Sequence, residues 1–367
     1  MQNVDLLLGA LCSRYSARVR SYLIKKQIPY VERVPTGWTY GVTIARRFGD
    51  ATVPVLITPD GEWIADSEVI LDRLEERFPQ DSIQPDDPLH AFFAALADVW
   101  ASEFWVPFDL GTRWQGRTSY PWWYEELGEG FFLGLPKWAK NMLTGNVARM
   151  IQAHLPRLGS TDETTPLLSE WASRMMDALD AHLAIHPYLL GERATRFDYG
   201  LIVPFFGHLA RDPWSRDQYL VPRPHLYAWV WRMNQPYLTG KAPAFAAVGT
   251  PLPSTLDPVI RSMFDEFLPY VEGMLAEVQR VYPKPVPGKK IDRFLGTVSF
   301  PFGKGTFKRL AMVHALWLVQ RAMDLLAEMS PEDRERTCQW VRDSGGGRLL
   351  ELKIPRLAIS GLTVKFA

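Results

Sequence analysis

The stretch that decides the fold is Ala51-Thr52-Val53-Pro54-Val55-Leu56-Ile57, followed by Ala65-Asp66-Ser67-Glu68-Val69-Ile70. Pro54 interrupts an apolar run and cannot donate to a strand ladder, so we expect it at a strand start, an edge or a special turn where the peptide bond can be cis. Such a bend would leave the backbone of Val53 facing a cleft, where an extended peptide could pair with it. Asp66-Ser67 at the next helix start could bind an amino and a carboxylate group. Together these stretches predict a site for a small peptide with a free amino-acid end.

The pattern on either side of this stretch predicts an α/β domain. We expect strands over residues 5–9, 28–34, 55–58 and 63–65, and helices over residues 13–26, 40–48 and 67–78. The order β-α-β-α-β-β-α follows from periodicity and turn residues alone.

Composition limits the classes of partner and the compartment. Of 367 residues, Lys+Arg and Asp+Glu number 41 each, so no global charge attracts nucleic acid or anionic lipid. Cys12 and Cys338 are the two cysteines, which provides no disulfide framework and suits a reducing compartment. No apolar run has the length of a membrane span. We therefore predict a cytoplasmic protein with neither nucleic acid nor membrane as partner and with no metal site.

The order of elements over residues 6–78 resembles the thioredoxin-like first domain of the glutathione S-transferase superfamily. Val53-Pro54 and Asp66-Ser67 stand at that family's glutathione-binding positions, and the segment 189–200 is similar to the capping segment of its helical second domain. Thr195 and Asp198 have capping-box spacing within that segment, for which we predict a structural role. The resemblance spans roughly residues 5–235 and implies that glutathione is the ligand.

Ser13 is the residue to which the resemblance assigns the glutathione sulfur. A thiol with a pKa of about 8.5 needs roughly 2.7 kcal/mol of selective anion stabilisation to become about two units more acidic. A helix N-terminus and a hydroxyl donor together can supply this. The alternative is that Ser13 only caps its helix. If the alignment slips by one residue, Cys12 becomes the active thiol and disulfide exchange is favoured, although Cys12 also suits a small buried position.

An aromatic-rich segment over residues 100–138 follows the first domain. In the family this region faces the sulfur, so Trp105, Phe108 and Trp114 are candidates for a wall that binds an apolar, aromatic electrophile. Any one ring can instead belong to the core. Arg113 is the candidate cation for orienting an acidic or quinone-like substrate.

Shifts in composition along the chain predict three segments. Residues 1–79 form the thioredoxin-like glutathione-binding domain, residues 88–241 an all-α substrate-binding bundle, and residues 255–367 a mostly helical C-terminal extension, with proline-rich boundaries between them. Within the extension we expect helices over residues 258–282 and 306–329. We also expect a strand over residues 294–300 that pairs with residues 349–359.

The resulting functional prediction is a homodimeric, glutathione-dependent transferase that attacks an apolar electrophile. Ether cleavage, dehalogenation, isomerisation or another lyase reaction with the same thiolate stays open, as does thiol-disulfide reduction through Cys12. A binding or scaffold protein that kept the fold without the reaction is the rival of a different class.

Overall fold

The computed structural model describes residues 4–116, 119–132 and 134–367. The first part of the chain forms a four-stranded sheet with three helices. The strands are β1 (Asp5–Leu8), β2 (Tyr30–Arg33), β3 (Val55–Ile57) and β4 (Trp63–Ala65), and the helices are α1 (Arg14–Lys25), α2 (Ala45–Phe48, preceded by a π-helical turn over Thr39–Ile44) and α3 (Ser67–Arg77). The strand order is β2-β1-β3-β4, in which β1 is parallel to β2 and antiparallel to β3. The predicted thioredoxin-like α/β domain is confirmed.

This sheet is held to its helices by an apolar core and a buried ion pair. Leu7 and Leu56 in the central strands are completely buried, as are Val19 of α1 and Leu74 of α3. Arg18 of α1 is ion-paired with Glu68 of α3, and both side chains are buried. Because a charge buried without its partner is costly, this pair disfavours other packings of the two helices.

Most of the following chain is helical, as predicted. The α-helices here are α4 (Pro88–Val99), α5 (Val106–Gln115), α6 (Tyr120–Phe131), α7 (Lys137–His154), α8 (Thr165–Leu183), α9 (Arg196–Pro204), α10 (Pro213–Ser215) and α11 (Pro224–Met233). Several are extended by π-helical turns, over Trp100–Phe104, Phe205–Leu209 and Arg216–Leu220. Sequence analysis did not distinguish α5 and α6 within the aromatic segment.

The C-terminal extension contains helices and two β-hairpins. The helices are α12 (Asp257–Ser262), α13 (Leu268–Val281), α14 (Val313–Glu328) and α15 (Pro331–Asp343), and the strands are β5 (Phe294–Phe302), β6 (Gly305–Met312), β7 (Leu357–Ser360) and β8 (Thr363–Phe366). The expected pairing of residues 294–300 with residues 349–359 is wrong, because β5 pairs with β6 and β7 with β8. The helix expected over residues 306–329 is wrong in its first part, which is strand β6.

The described residues divide into two compact units, each built from three pieces of chain. The first comprises Met1–Ser82, Asp109–Leu155 and Ile202–Ala242, and the second Ile83–Phe108, Pro156–Leu201 and Pro243–Ala367. The sequence division into residues 1–79, 88–241 and 255–367 stays a prediction, since these units cut across its middle segment. No helix within the described ranges is long and apolar enough to cross a membrane.

Candidate functional site

The peptide bond between Val53 and Pro54 is cis. Strand β3 begins at Val55, which pairs with Leu8 and Ala65, so Val53 stands before the first ladder residue. The bend therefore lies where the sequence predicts it, at the start of a central strand.

Asp66 is the N-cap of α3. Its Oδ1 accepts hydrogen bonds from the backbone N–H groups of Glu68 at 2.9 Å and Val69 at 3.4 Å. Its φ of 73° lies in the left-handed region, which few residues other than glycine adopt. Ser67 follows as the first helical residue and is buried. The pair thus stands at the positive end of a helix, where backbone amides favour an anionic group.

Ser13 is the N-cap of α1. Its Oγ accepts a hydrogen bond from the backbone N–H of Ser16 at 3.3 Å, and its side chain is partly exposed. Among the described residues no acceptor takes the Ser13 hydroxyl proton. A hydroxyl has one donor and two lone pairs, so capping the helix leaves the donor available to a ligand. The capping and catalytic interpretations of Ser13 are therefore compatible.

Cys12 lies next to Ser13 but is only 8% exposed. Burial raises the pKa of its thiol, and this outweighs the attraction of the Arg113 and Arg211 guanidinium groups for the thiolate. Glu126 and Asp212 raise the pKa further. Since the thiolate is the nucleophile, the surroundings of Cys12 work against the activation that a redox-active cysteine requires.

Arg113 lies beneath the loop that carries Cys12. Its guanidinium binds the Asp212 carboxylate with Nε–Oδ2 and Nη2–Oδ1 distances of 2.7 and 2.9 Å. It also donates to the carbonyl oxygens of Gly207 at 3.1 Å and Cys12 at 3.4 Å. The expectation that Arg113 orients an acidic substrate is not supported, because the side chain is 6% exposed and four of its five N–H donors are already used within the protein.

A second buried ionic group lies beside the first. The Nε of Arg14 donates to Asp109 Oδ2 at 2.5 Å, and Nδ1 of His208 lies 3.3 Å from the Asp109 carbonyl oxygen. Burial raises the pKa of Asp109 to about 6, although Arg14 lowers it, and burial also holds the pKa of His208 well below its usual value. His208 is therefore a neutral imidazole at physiological pH, and this group joins the start of α1 to α5.

The four residues expected to bind the second substrate are divided between the two compact units. Trp105 and Phe108 are 0% and 1% exposed and belong to the core of the second unit, where Trp105 packs on Trp171 with ring centroids 4.7 Å apart. These side chains pack in the core, and their assignment to a substrate wall stays a prediction that this burial does not favour. Trp114 is half-buried in the first unit, in the apolar cluster that contains Cys12.

A cleft of about 440 Å³ opens beside Cys12 in the first unit. Its other lining residues come from the turn before α1, from Val34, and from α6 and its C-terminal end: Ala10, Leu11, Trp122, Glu125, Glu126, Glu129, Gly130 and Phe131. Sequence analysis assigned no role to these glutamates. The signal was present, since Trp122, Glu126 and Glu129 have the i, i+4, i+7 spacing of one helix face.

A basic surface lies on α2, in the same α/β domain. A depression of about 410 Å³ is lined by Trp38, Val42, Thr43, Arg46 and Arg47. Arg47 stacks over the ring of Trp63 with its Cζ 4.9 Å from the ring centroid, and the Trp38 side chain is 71% exposed. These cations were not among the predicted site residues, although two adjacent arginines in a short helix before the Pro54 bend were a visible signal.

Comparison with known proteins agrees with the resemblance of the first domain. Residues 12–77 match the family model described as the glutathione S-transferase N-terminal domain. No curated protein matches the chain. The glutathione S-transferase resemblance of the first domain is thereby confirmed.

The chain is also similar to solved glutathione S-transferase structures. A Tau class glutathione S-transferase from mango (Mangifera indica) is 19% identical, with 64% of this chain and 89% of that chain covered and a TM-score of 0.39. A β-etherase from Sphingobium sp. strain SYK-6 is 18% identical, with 63% and 95% covered and a TM-score of 0.43. A glutathione S-transferase from Methylobacillus flagellatus, solved with glutathione bound, is 18% identical, with 62% and 93% covered and a TM-score of 0.39.

Proposed function

Because this chain carries the N-terminal domain of the glutathione S-transferase superfamily, we propose that it is a glutathione-dependent transferase in which Ser13 stabilises the glutathione thiolate. The observation that carries the proposal is the hydrogen bonding of the Ser13 hydroxyl. Its oxygen accepts from Ser16 N–H at the start of α1, while its proton has no acceptor among the described residues. A charge-assisted hydrogen bond at a helix N-terminus is the interaction that lowers a thiol pKa.

The tripeptide is held, in this proposal, by the backbone of Val53 and by the helix start at Asp66 and Ser67. Amides at that helix start favour a carboxylate, and the Asp66 carboxylate favours an ammonium group. Arg46 and Arg47 supply positive charge for a second carboxylate. Glutathione carries two carboxylates and one ammonium group, which these groups complement.

The thiolate then attacks an electrophilic carbon of the second substrate and forms a carbon–sulfur bond. In a substitution the displaced electron pair departs with the leaving group, and in an addition it moves onto an electron-withdrawing atom of the substrate, which then takes a proton from water. Holding both reactants in one cleft supplies much of the acceleration by removing the entropy cost of their encounter. Conjugation, ether cleavage, dehalogenation and isomerisation share this first step and differ in the second substrate. The raised pKa of Cys12 makes thiol-disulfide reduction through that residue the less favoured alternative.

The experiment compares Ser13→Ala with the native chain. A hydrogen bond to a charged group contributes about 1.5–3 kcal/mol, so we expect kcat/KM towards an electrophile at neutral pH to fall about 10- to 100-fold and the pH-rate profile to move to higher pH. The absorbance of the bound thiolate, titrated against pH, measures the same shift without turnover. Ser13→Thr keeps a hydroxyl and is expected to recover most of the activity.

Ser330→Ala is the matched control, because Ser330 caps α15 by accepting from Asp333 N–H at 3.1 Å. Loss of either cap costs about 1 kcal/mol of stability, so only the Ser13 variant should change the thiol pKa. An unchanged pH profile in Ser13→Ala would contradict the assignment of Ser13. Calorimetry that detects no glutathione binding at millimolar concentration would contradict the function itself and favour a scaffold role.

Family membership of the first domain also supports a homodimer and a cytoplasmic location, which we carry forward as part of the proposal. Light scattering coupled to size-exclusion chromatography measures the oligomeric state directly. A monomer would contradict the first of these two expectations.

A further inference from the structure

The cleft beside Cys12 is lined by carboxylates and aromatic rings. Glu125, Glu126 and Glu129 of α6 all line it, whereas no lysine or arginine within the described ranges does. Trp122 and Phe131 form apolar walls of the same cleft, and both rings are partly exposed. The cleft that adjoins the candidate sulfur site therefore combines negative charge with π faces.

Nearby cations balance two of the three carboxylates. Arg211 is ion-paired with Glu126, and Lys140 Nζ lies 2.6 Å from Glu129 Oε2. Glu125 is exposed and has no ion pair with any described residue. Counted over the residues that the structure describes, the lining and its ion-pair partners carry one net negative charge, contributed by Glu125.

The aromatic walls suit a cation as well as an apolar group. The guanidinium of Arg211 already lies over the Trp122 ring, with its Cζ 5.9 Å from the ring centroid. An indole face attracts positive charge through its quadrupole, and a flat cation gains both this attraction and apolar contact. An anion entering the same space would meet the electron-rich ring faces and the carboxylate of Glu125.

The polar groups near the floor of the cleft do not reverse its preference for a cation over an anion. Arg113, the cation in the loop below, is bound to Asp212 and to two backbone carbonyl oxygens. Cys12 is nine-tenths buried, lines the cleft, and its Sγ has no hydrogen-bond partner among the described residues. A sulfur is a soft contact for an apolar ligand and offers an anion little stabilisation.

We propose that the second substrate is a flat, apolar electrophile that carries a single positive charge, such as an aromatic quaternary ammonium or pyridinium-type compound. This inference rests on the proposed function for its catalytic consequence, but the cleft binds such a cation whether or not glutathione is present. Glu125 and the Trp122 ring determine the charge preference.

The first experiment measures equilibrium binding without glutathione, by calorimetry, for three ligands of similar shape: 1-methylquinolinium, quinoline and quinoline-4-carboxylate. We expect the cation to bind at least about 3-fold more tightly than the neutral ring and about 10-fold more tightly than the anion. Glu125→Gln is expected to weaken the cation about 2- to 5-fold, the range of one partly screened charge, and to leave quinoline within about 2-fold. Trp122→Leu keeps an apolar wall and should also weaken the cation more than quinoline.

Glu163→Gln is the matched control, because Glu163 is an exposed glutamate outside this cleft. It is expected to leave all three affinities unchanged. The inference is overturned if the carboxylate binds as tightly as the cation, or if Glu125→Gln changes all three ligands equally.

Glutathione binding, measured separately, distinguishes the two proposals. If the cation binds selectively and glutathione does not bind, the proposed function fails and the cleft assignment stands. If glutathione binds and anionic electrophiles turn over as fast as matched cationic ones, the cleft assignment fails and the function stands.

Discussion

The guanidinium of Arg113 and the carboxylate of Asp212 form a two-point ion pair, at 2.7 and 2.9 Å, in the interior of the first unit. The same guanidinium binds the carbonyl oxygen of Cys12, one residue before the N-cap of α1. The loop that presents Ser13 is thereby tied to α5 and to the turn that contains Gly207. The pair positions the candidate site without itself facing a ligand.

Arg113→Met should therefore destabilise the protein strongly. It leaves the Asp212 carboxylate buried without its cation, for which we expect a loss of about 3–5 kcal/mol in the free energy of unfolding, measured by urea denaturation. The double variant Arg113→Met/Asp212→Leu removes both charges and should recover most of that loss. Arg342→Met is the control, since the Arg342–Glu335 pair is exposed and contributes at most about 1 kcal/mol. A loss in Arg113→Met no larger than in the control would contradict a structural role for the pair.

The two cysteines should differ in reactivity. Burial raises the pKa of Cys12, whereas Cys338 is only partly buried. Because alkylation requires the thiolate and access to it, we expect iodoacetamide at pH 7 to modify Cys12 at least about 10-fold more slowly than Cys338. Mass spectrometry of timed digests measures both rates in one sample. If Cys12 is modified faster than Cys338, its thiol is activated, and thiol-disulfide reduction through Cys12 becomes the favoured function.

Asp87 should be a main stabilising residue of the second unit. It caps α4 by accepting from Leu89 and His90 N–H, and it also accepts from Gly249 N–H and from both terminal nitrogens of Arg336. Burial alone would raise its pKa, but the hydrogen bonds from Gly249 and Arg336 outweigh burial and lower it. We expect Asp87→Asn to cost about 1–3 kcal/mol in unfolding free energy at pH 7.

The sign of the Asp87 effect follows from its lowered pKa. The stabilisation by the carboxylate is present above the unfolded-state pKa of about 3.9 and is lost as the pH falls through the lower folded-state pKa. The difference between Asp87→Asn and the native chain should therefore narrow below about pH 4. Asp324→Asn, at an exposed pair with Arg356, is the control and should change stability by less than about 1 kcal/mol at pH 7. If the difference in unfolding free energy between Asp87→Asn and the native chain stays constant from pH 7 to pH 3, the hydrogen bonds and ion pair assigned to the Asp87 carboxylate are contradicted.

His182 should make the protein sensitive to mild acid. Its Nδ1 lies 2.7 Å from Thr255 Oγ1, and burial, helped by the charge of His186, lowers its pKa to about 4. The unfolded chain, with a histidine pKa of about 6.5, then binds a proton that the folded chain excludes. The contribution of His182 to stability is full above about pH 6.5 and falls by about 2 kcal/mol by pH 5.

Denaturation at pH 7, 6 and 5 measures how the free energy of unfolding depends on pH, and His182→Gln should reduce this dependence by the His182 contribution, while the contribution of the buried His208 stays. His154→Gln is the matched control, because His154 is exposed. Equal slopes in the native chain and in His182→Gln would exclude His182 as the group responsible.

The first domain was predictable from local pattern. Apolar alternation, the Pro54 interruption and the capping residues Ser13 and Asp66 act within a few residues of chain, so their consequences appear in the sequence. The same applies to the capping box, in which Asp198 Oδ2 accepts from the Thr195 backbone N–H at 2.9 Å.

The hairpin of β5 and β6 shows where local pattern misleads. Phe307 and Arg309 are buried while Lys308 between them is exposed, which is strand alternation, but a long apolar run follows directly and has helical periodicity. The turn between the strands contains Gly303 with a φ of 54°, a conformation that favours glycine. The predicted helix over residues 306–329 therefore extended too far toward the N-terminus and covered strand β6.

The sequence by itself determined the thioredoxin-like domain, the bend before β3 and the helix start that presents Ser13, since these depend on contacts between near neighbours and on backbone chemistry. Only the tertiary structure decided that Arg113 is bound internally, that Trp105 and Phe108 are core, and that the α6 glutamates line the cleft. Burial and ion pairing at these residues depend on which segments, distant in the sequence, pack against each other in the folded chain.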